Sequence, residues 1–400
     1  MRGVPRDGEP HDGAGRPRPH LRLVRPPALR IVDVALFYGE RSGGIRTYLD
    51  AKRRVLRDDP DAEHHLVVPG PRERHDDGRH ELPSVRCAHL SGANGYRVPL
   101  GVRALKDTLR DLRPDVVLLH DPFWAVLGVA AAARAEGACV VAVHHTSPDL
   151  DAAGLPGPDA LWKPVMRRWF RRAYRRADVV MSAGDTLPDT GRTAALPLRF
   201  GVDPAFRPQP GVRREGHVLY AGRIGREKGL DTLLEAAARP GADWTLELVG
   251  DGACVGALTD RARRLGIERR VSFHPHEASP SALARRFAAA GCVVMPGPFE
   301  TFGLVGLEAA ACGARVVASA TAPAVRSVGP LAHTFAPGDA AGLARAIAAA
   351  RTTDRDLAAA GALAARSTWA EAIGHELEDL RTLLTGGRRW TAAPGGSRAA

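Results

Sequence analysis

Twice along this chain of 400 residues, short runs of Val, Ile, Leu and Ala alternate with segments of helical periodicity, and no other feature limits the possible folds so strongly. The first series opens with LRIVDVALF (29–37), followed by GGIRTYLDAKRRVL (43–56) as a helix. PDVVLLH (114–120), the alanine-rich AVLGVAAAARAEG (125–137), ACVVAVHH (138–145), a basic helix and ADVVMSAG (177–184) continue it. Runs that are apolar on both faces belong to parallel strands covered by helices on each side. A Pro- and Gly-rich linker, LPLRFGVDPAFRPQPGVRREG (196–216), has no sustained period. A second series then follows in HVLYAG, WTLELVG, RVSFHP, CVVMPG and ARVVAS, again interleaved with helices. The expected fold is α/β, two Rossmann-like, doubly wound parallel-sheet domains. Such sheets bind ligands beyond the carboxyl ends of their strands, so the expected site is a cleft between the domains.

The expected organisation is a disordered basic tail over 1–27, an N-terminal domain over 28–200 and a C-terminal domain over 201–366. A helix over 367–385, N-capped by Ser367 or Thr368, crosses back, and 386–400 form a tail. The first residues are charged and Pro-rich where a signal peptide needs an apolar core, and no run of about 18 apolar residues occurs. A cytoplasmic location is expected. Five cysteines without a C-x-x-C pair argue against a disulfide framework or a zinc site. The net charge of +11 favours anionic partners. The aromatic interleaving of a nucleic-acid-binding sheet is missing, so no nucleic acid partner is expected.

PFETFGLVGLEAAACGARVVAS (298–319) places Glu300 and Glu308 in an otherwise buried-looking segment. An ionised carboxylate in such a place needs hydroxyls, amides or cations around it. The spacing puts Glu300 on a loop and starts a helix just after Thr301, so the amides of Phe302, Gly303 and Leu304 face outward as an anion site. Glu308 lies about one and a half turns further on. Neighbouring hydroxyls of a sugar would suit both carboxylates; a dipole-favoured Glu beside a salt-bridged one suits the spacing equally well. In YAGRIGREKGLDTLLEA (220–236), Arg223 and Lys228 project from a glycine-bent loop, where they would hold a diphosphate or simply be solvated. Gly43 and Gly44 open a comparable turn in the N-terminal half. His120, His144 and His145 end strands there, as ligand contacts or as hydrogen-bonded structural imidazoles.

Taken together, SGGIRTY, GVDPAF, YAGRIGREKGLDTLLEA, LVGDG and FETFGLVGLEAAACGARVVAS, with the E-x7-E spacing of Glu300 and Glu308, resemble the retaining glycosyltransferases of family four (glycosyltransferase group 1) over about residues 29–385. The resemblance implies the GT-B fold and a hexosyltransferase that moves a sugar from a nucleoside diphosphate sugar to a hydroxyl acceptor with retention, in cell-envelope glycolipid or polysaccharide synthesis. It implies that Glu300 and His145 lie at the reacting centre, with Glu308 on the ribose. Arg223, Lys228, Gly44, Gly303 and Leu304 would hold the diphosphate. No cofactor and no metal are implied, the nucleotide sugar being a substrate. The chain departs from the family in two places: Arg315 stands where the family usually has proline, and TAPAVRSVGP (321–330) replaces its G-G-x-x-E segment. A nucleotide-sugar 2-epimerase and a non-catalytic GT-B partner subunit are the alternative readings.

LWKPVMRRWFRRAYRRADVV (161–180) places Arg167, Arg168, Arg171, Arg172, Arg175 and Arg176 on one side of a helix, and Met166, Trp169, Phe170, Ala173 and Tyr174 on the other. Packing of the apolar side on the sheet with solvated arginines is one expectation. Peripheral contact of helix 162–177 with an anionic membrane at its inner face is the other.

Overall fold

The computed structural model describes residues 28–35, 38–39, 43–86, 97–121, 124–145, 158–183, 194–298, 300 and 302–386. The tails expected over 1–27 and, from 387 on, at the C-terminus lie outside them.

Two sheets organise the chain. The N-terminal one contains β1 (Leu29–Val34), β2 (Ala62–Gly70), β3 (Arg74–Asp76), β4 (Arg79–Arg86), β5 (Arg97–Pro99), β6 (Val116–Leu119), β7 (Cys139–His144), β8 (Val179–Ser182) and β9 (Ala194–Pro197). Its order is β3-β4-β2-β1-β6-β7-β8-β9, with β5 beside β4; β3 and β5 run antiparallel to β4 and the other pairs are parallel. The C-terminal sheet contains β10 (Val218–Ala221), β11 (Leu246–Val249), β12 (Val271–His274), β13 (Cys292–Met295), β14 (Val316–Ser319) and β15 (Ala332–Phe335). It is fully parallel, in the order β12-β11-β10-β13-β14-β15. In both sheets the winding reverses once, between β1 and β6 and between β10 and β13. The loops leaving two such strands diverge to opposite faces and open a crevice between them.

Helices cover both faces of each sheet. Alternate residues of β1 divide between two cores, Ile31 with helices 44–56 and 369–384, Val32 and Val34 with helices 103–112, 124–135 and 159–174. The last helix, capped by Thr368, whose hydroxyl accepts from the Glu371 amide at 3.2 Å, buries Trp369, Ile373, Leu377 and Leu380 in the N-terminal core. Val202 forms a parallel bridge with Thr368 where the chain crosses between the sheets. Leu304 and Phe200 pack against cores of both halves.

The basic helix spans Asp159–Tyr174, ending three residues before the expected 177, and its apolar side follows the first expectation: Phe170, Ala173 and Tyr174 are buried, and the four arginines in it, with Arg175 and Arg176 just beyond, face solvent. Several arginines elsewhere are structural. Arg214 donates to the carbonyls of Thr353 (2.8 Å) and Ala350 (2.7 Å), and Arg270 to that of Ala237 (2.8 Å). These guanidiniums satisfy the last carbonyls of helices 340–352 and 230–237, which have no partners within their helices. Arg315 belongs to this group: its side chain donates to the carbonyls of Asp354 (2.9 Å) and Pro330 (3.1 Å). It precedes β14, at the amino end of the sheet, away from the crevice, so this departure from the family pattern is a matter of packing.

Candidate functional site

Each reversal point carries one half of the site. In the C-terminal sheet, the loop after β10 bears Arg223 and Lys228, and the loop after β13 bears Glu300. The two loops touch, because Gly229 at φ +65° fits its backbone against the carbonyl of Pro296. Helix 304–311 then begins with Gly303 as its N-cap at φ +91°, a conformation side chains rarely adopt; a Cβ there would lie 2.3 Å from Cε of Met295. The helix thus begins two residues later than its spacing suggests. Phe302 turns inward, 9% exposed, its ring centroid 4.5 Å from that of Phe200. The signal missed was that glycine, whose left-handed geometry delays the first turn. Leu304 keeps its place at the open end.

Helix 44–56 begins at Gly44, in the loop after β1, and meets helix 304–311 across the crevice. A Cβ on Gly44 would lie 3.3 Å from Cδ1 of Leu304. Two helix N-termini, one from each half, therefore converge within a side chain's width. Their unpaired amides and dipoles favour negative charge between them.

The charged groups on the C-terminal side are paired with one another. Lys228 Nζ lies 2.7 Å from Oε1 of Glu300, and Arg223 lies 2.7 Å from Glu227. The Arg223 side chain is 54% exposed and that of Lys228 20%, so the lysine is the more enclosed cation. Glu308 lies in helix 304–311. Burial, reinforced by the charge of Asp203 in the GVDPAF loop, raises its carboxyl to about 7. The segment 321–330 borders Glu300's loop: Thr321 donates to the carbonyl of Pro298 at 2.9 Å, and the Ala324 amide to that of Phe302 at 2.8 Å.

The strand-end histidines separate by strand alternation. His144 turns to one face, where Nδ1 is 3.0 Å from the hydroxyl of Tyr174. His145 turns to the other, with Nε2 2.7 Å from Nδ1 of His120. His120 Nε2 reaches Oδ1 of Asp33 at 2.6 Å, and His64 Nε2 reaches Oδ2 at 2.6 Å. Lys52 Nζ sits between Asp33 (2.9 Å) and Glu376 of the last helix (2.6 Å), and Tyr48 donates to Glu376 at 2.5 Å. Asp33 and Lys52 are completely buried. Burial alone would raise the Asp33 carboxyl, but Lys52 and the two imidazoles outweigh it and hold it well below the usual range. Burial likewise opposes the charge on Lys52, and the two carboxylates overcome it. His145 is driven well down, by burial and then by its histidine neighbours, and is neutral at physiological pH. Sequence reasoning missed Asp33, Lys52, His64 and Glu376. The signal available was a charged residue inside an apolar strand, IVDV, and another on the buried face of a helix.

The two halves are joined by aromatic contacts from Phe302 to Phe200 to Tyr48, the last with its centroid 6.0 Å from His145. Two reversal points, two facing helix N-termini and carboxylates beside cations make the crevice between the domains of this GT-B fold the candidate site. Comparison with known proteins agrees. Residues 42–187 match the model of Glycosyltransferase Family 4 and residues 203–365 that of Glycosyl transferases group 1. The chain is 30% identical over 317 residues to the GDP-mannose-dependent alpha-(1-6)-phosphatidylinositol dimannoside mannosyltransferase of Mycobacterium tuberculosis, covering 73% of this chain and 80% of that protein. Sucrose-phosphate synthase from Thermosynechococcus elongatus superposes with a TM-score of 0.69 at 21% identity, over 90% of this chain and 100% of that one. Anabaena HepE, solved in complex with UDP, superposes with a TM-score of 0.66 at 19% identity, over 89% and 100%. The chain belongs to the family 4, group 1 glycosyltransferases. Nothing in these relatives favours the epimerase reading.

Proposed function

We propose that this glycosyltransferase moves a hexose from a nucleoside diphosphate sugar to a hydroxyl of a cell-envelope glycolipid or polysaccharide, with retention of configuration. The convergence of the Gly44 and Leu304 helix N-termini beside Lys228 and Glu300 carries this reading. A diphosphate between them meets backbone amides from both halves, with Lys228 and Arg223 as charge-assisted donors. Glu300 takes the hydroxyls of the donor sugar, Glu308 takes the ribose, and His145 closes the sugar site from the N-terminal half. In transfer, the bond from the anomeric carbon to the leaving phosphate oxygen breaks as the acceptor oxygen attacks from the same face. The acceptor proton passes to that phosphate oxygen. Amides and cations stabilise the charge gathering on the diphosphate.

Release of nucleoside diphosphate across a panel of sugar donors and acceptors tests the reading; no turnover and no donor binding anywhere would refute it. Lys228→Ala and Arg223→Ala each weaken donor binding by about 1.5–3 kcal/mol, the range for hydrogen bonds to charged groups. The larger loss falls on the more enclosed Lys228. Calorimetry showing wild-type nucleotide affinity in both variants removes them from the diphosphate.

Glu308 adds a pH signature. Ribose hydroxyls donate to the ionised carboxylate, so binding favours the charged form. With the free group at about 7, nucleotide affinity is flat at higher pH. It falls by up to about tenfold per unit below that, because protonation must be reversed before binding. Glu308→Gln removes the slope that belongs to this group. An unchanged slope in that variant rejects the ribose contact.

A membrane-facing role for helix 159–174 is proposed on one further observation. Leu161 (62% exposed) and Val165 (47% exposed) share a helical face with Arg168 and Arg172. Exposed apolar side chains beside arginines match an interfacial helix, at about 1 kcal/mol per basic residue near an anionic surface. The protein is therefore expected to co-sediment with acidic vesicles at low salt and much less with neutral ones. Arg168, Arg172, Arg175 and Arg176 changed together to Gln abolish that preference. Equal binding to both vesicle types, or no effect of the substitutions, refutes the contact. Among the described residues no helix is long and apolar enough to cross a membrane.

A further inference from the structure

The buried hydrogen-bond chain behind His145 is more specific than a structural role requires. Ionised Asp33 can only accept hydrogen bonds, so His120 Nε2, 2.6 Å from it, carries a proton. In the Nε2–H tautomer of His120 the lone pair lies on Nδ1. The partner 2.7 Å away, Nε2 of His145, must donate into it. That leaves the lone pair of His145 on Nδ1, an atom with no hydrogen-bond partner among the described residues.

We propose that Asp33 and His120 are positioning residues for sugar transfer: they hold His145 as its Nε2–H tautomer, so that Nδ1 accepts a hydroxyl of the donor sugar. The inference rests on the donor reading above and extends it from His145 to groups that never touch substrate. The geometry comes from three strands. Asp33 is level with Leu118 in the β1–β6 register, and His120, two residues beyond Leu118, shares its face; His145 follows β7 next door. Asp33 is itself held from the far side. His64 on β2 binds its second oxygen, and Lys52 bridges it to Glu376. Because Glu376 comes from helix 369–384, docking of that last helix on the N-terminal domain completes the arrangement.

Depression of the His145 pKa by burial agrees with a neutral ring. An imidazole whose only duty was to fill space would not need a fixed tautomer. One that must accept from a sugar hydroxyl does, since the wrong tautomer presents a proton where the hydroxyl's proton belongs.

Long-range ¹⁵N–¹H correlation on protein with ¹⁵N-labelled histidine reads the tautomer directly, without requiring turnover. Fifteen histidines are present, and the signal of His145 is assigned by its loss in His145→Gln. The ligand-free wild type at pH 7.5 is expected to show the Nε2–H pattern. An Nδ1–H or cationic pattern overturns the proposal. His120→Leu removes the acceptor, while His120→Asn keeps an oxygen near the place of Nδ1. With Leu, the His145 pattern becomes mixed and kcat falls by about tenfold or more while the nucleotide Kd stays within about twofold. With Asn, the tautomer and part of kcat return. A wild-type kcat in folded His120→Leu, or a loss in both variants with no change of tautomer, also overturns it. Should no donor be turned over by the wild type, the proposed function fails, and the spectrum still decides whether the relay sets the tautomer.

Discussion

Glu300→Gln is expected to lower kcat by about 100- to 1,000-fold, the range for removing one preorganised electrostatic contact from a transition state. Gln keeps the shape and can still accept a hydrogen bond, so the loss isolates charge. A carboxylate binds sugar hydroxyls more strongly than an amide does, and it faces the positive charge that develops at the anomeric centre as the phosphate leaves. Glu300 also holds Lys228 at 2.7 Å. The amide releases that lysine to the diphosphate, so nucleotide affinity stays at the wild-type level or rises. A fall in kcat without a fall in affinity separates a transition-state role from simple binding. The measurement is steady-state transfer together with nucleotide titration. Turnover within about threefold of wild type would remove Glu300 from the reacting centre.

Lys52→Met is expected to have the largest effect on stability, about 3–5 kcal/mol, because it leaves Asp33 and Glu376 buried without their shared cation. Its pH dependence carries the sign. In the wild type the Asp33 carboxyl is depressed in the folded state, so its contribution is present above the unfolded value of about 4 and is lost as the pH falls further. In the variant, burial acts with less opposition and raises the Asp33 carboxyl. A raised folded-state pKa contributes stability at low pH that disappears as the pH rises through it. The destabilisation should therefore be larger at pH 8 than at pH 5 in thermal or urea unfolding. Equal unfolding midpoints for variant and wild type at pH 8 would show that the cluster contributes nothing to stability.

Features generated within one local segment were legible in the chain itself. The two strand-and-helix series were readable because a buried parallel strand is a short apolar run. Gly44, Lys228, Glu300 and Leu304 were placed in loops or at helix starts because those loops carry their own glycines and spacing. β2, in AEHHLVVPG, was not read as a strand: its first half is polar, and only pairing with β1 and β4 gives it its place. The pairing of Lys228 with Glu300 joins residues 72 apart in sequence, and that of Tyr48 with Glu376 joins residues 328 apart. Nothing local marks such partners. The sequence by itself determined two doubly wound domains and the residue types at their strand ends. Tertiary structure alone decided that His145 and not His144 joins the relay, that a glutamate from the last helix completes it, and that the Gly44 and Leu304 helix starts face each other. The physical reason is that strand register, the choice of face along a strand and the docking of the last helix are set by burial summed over the whole sheet.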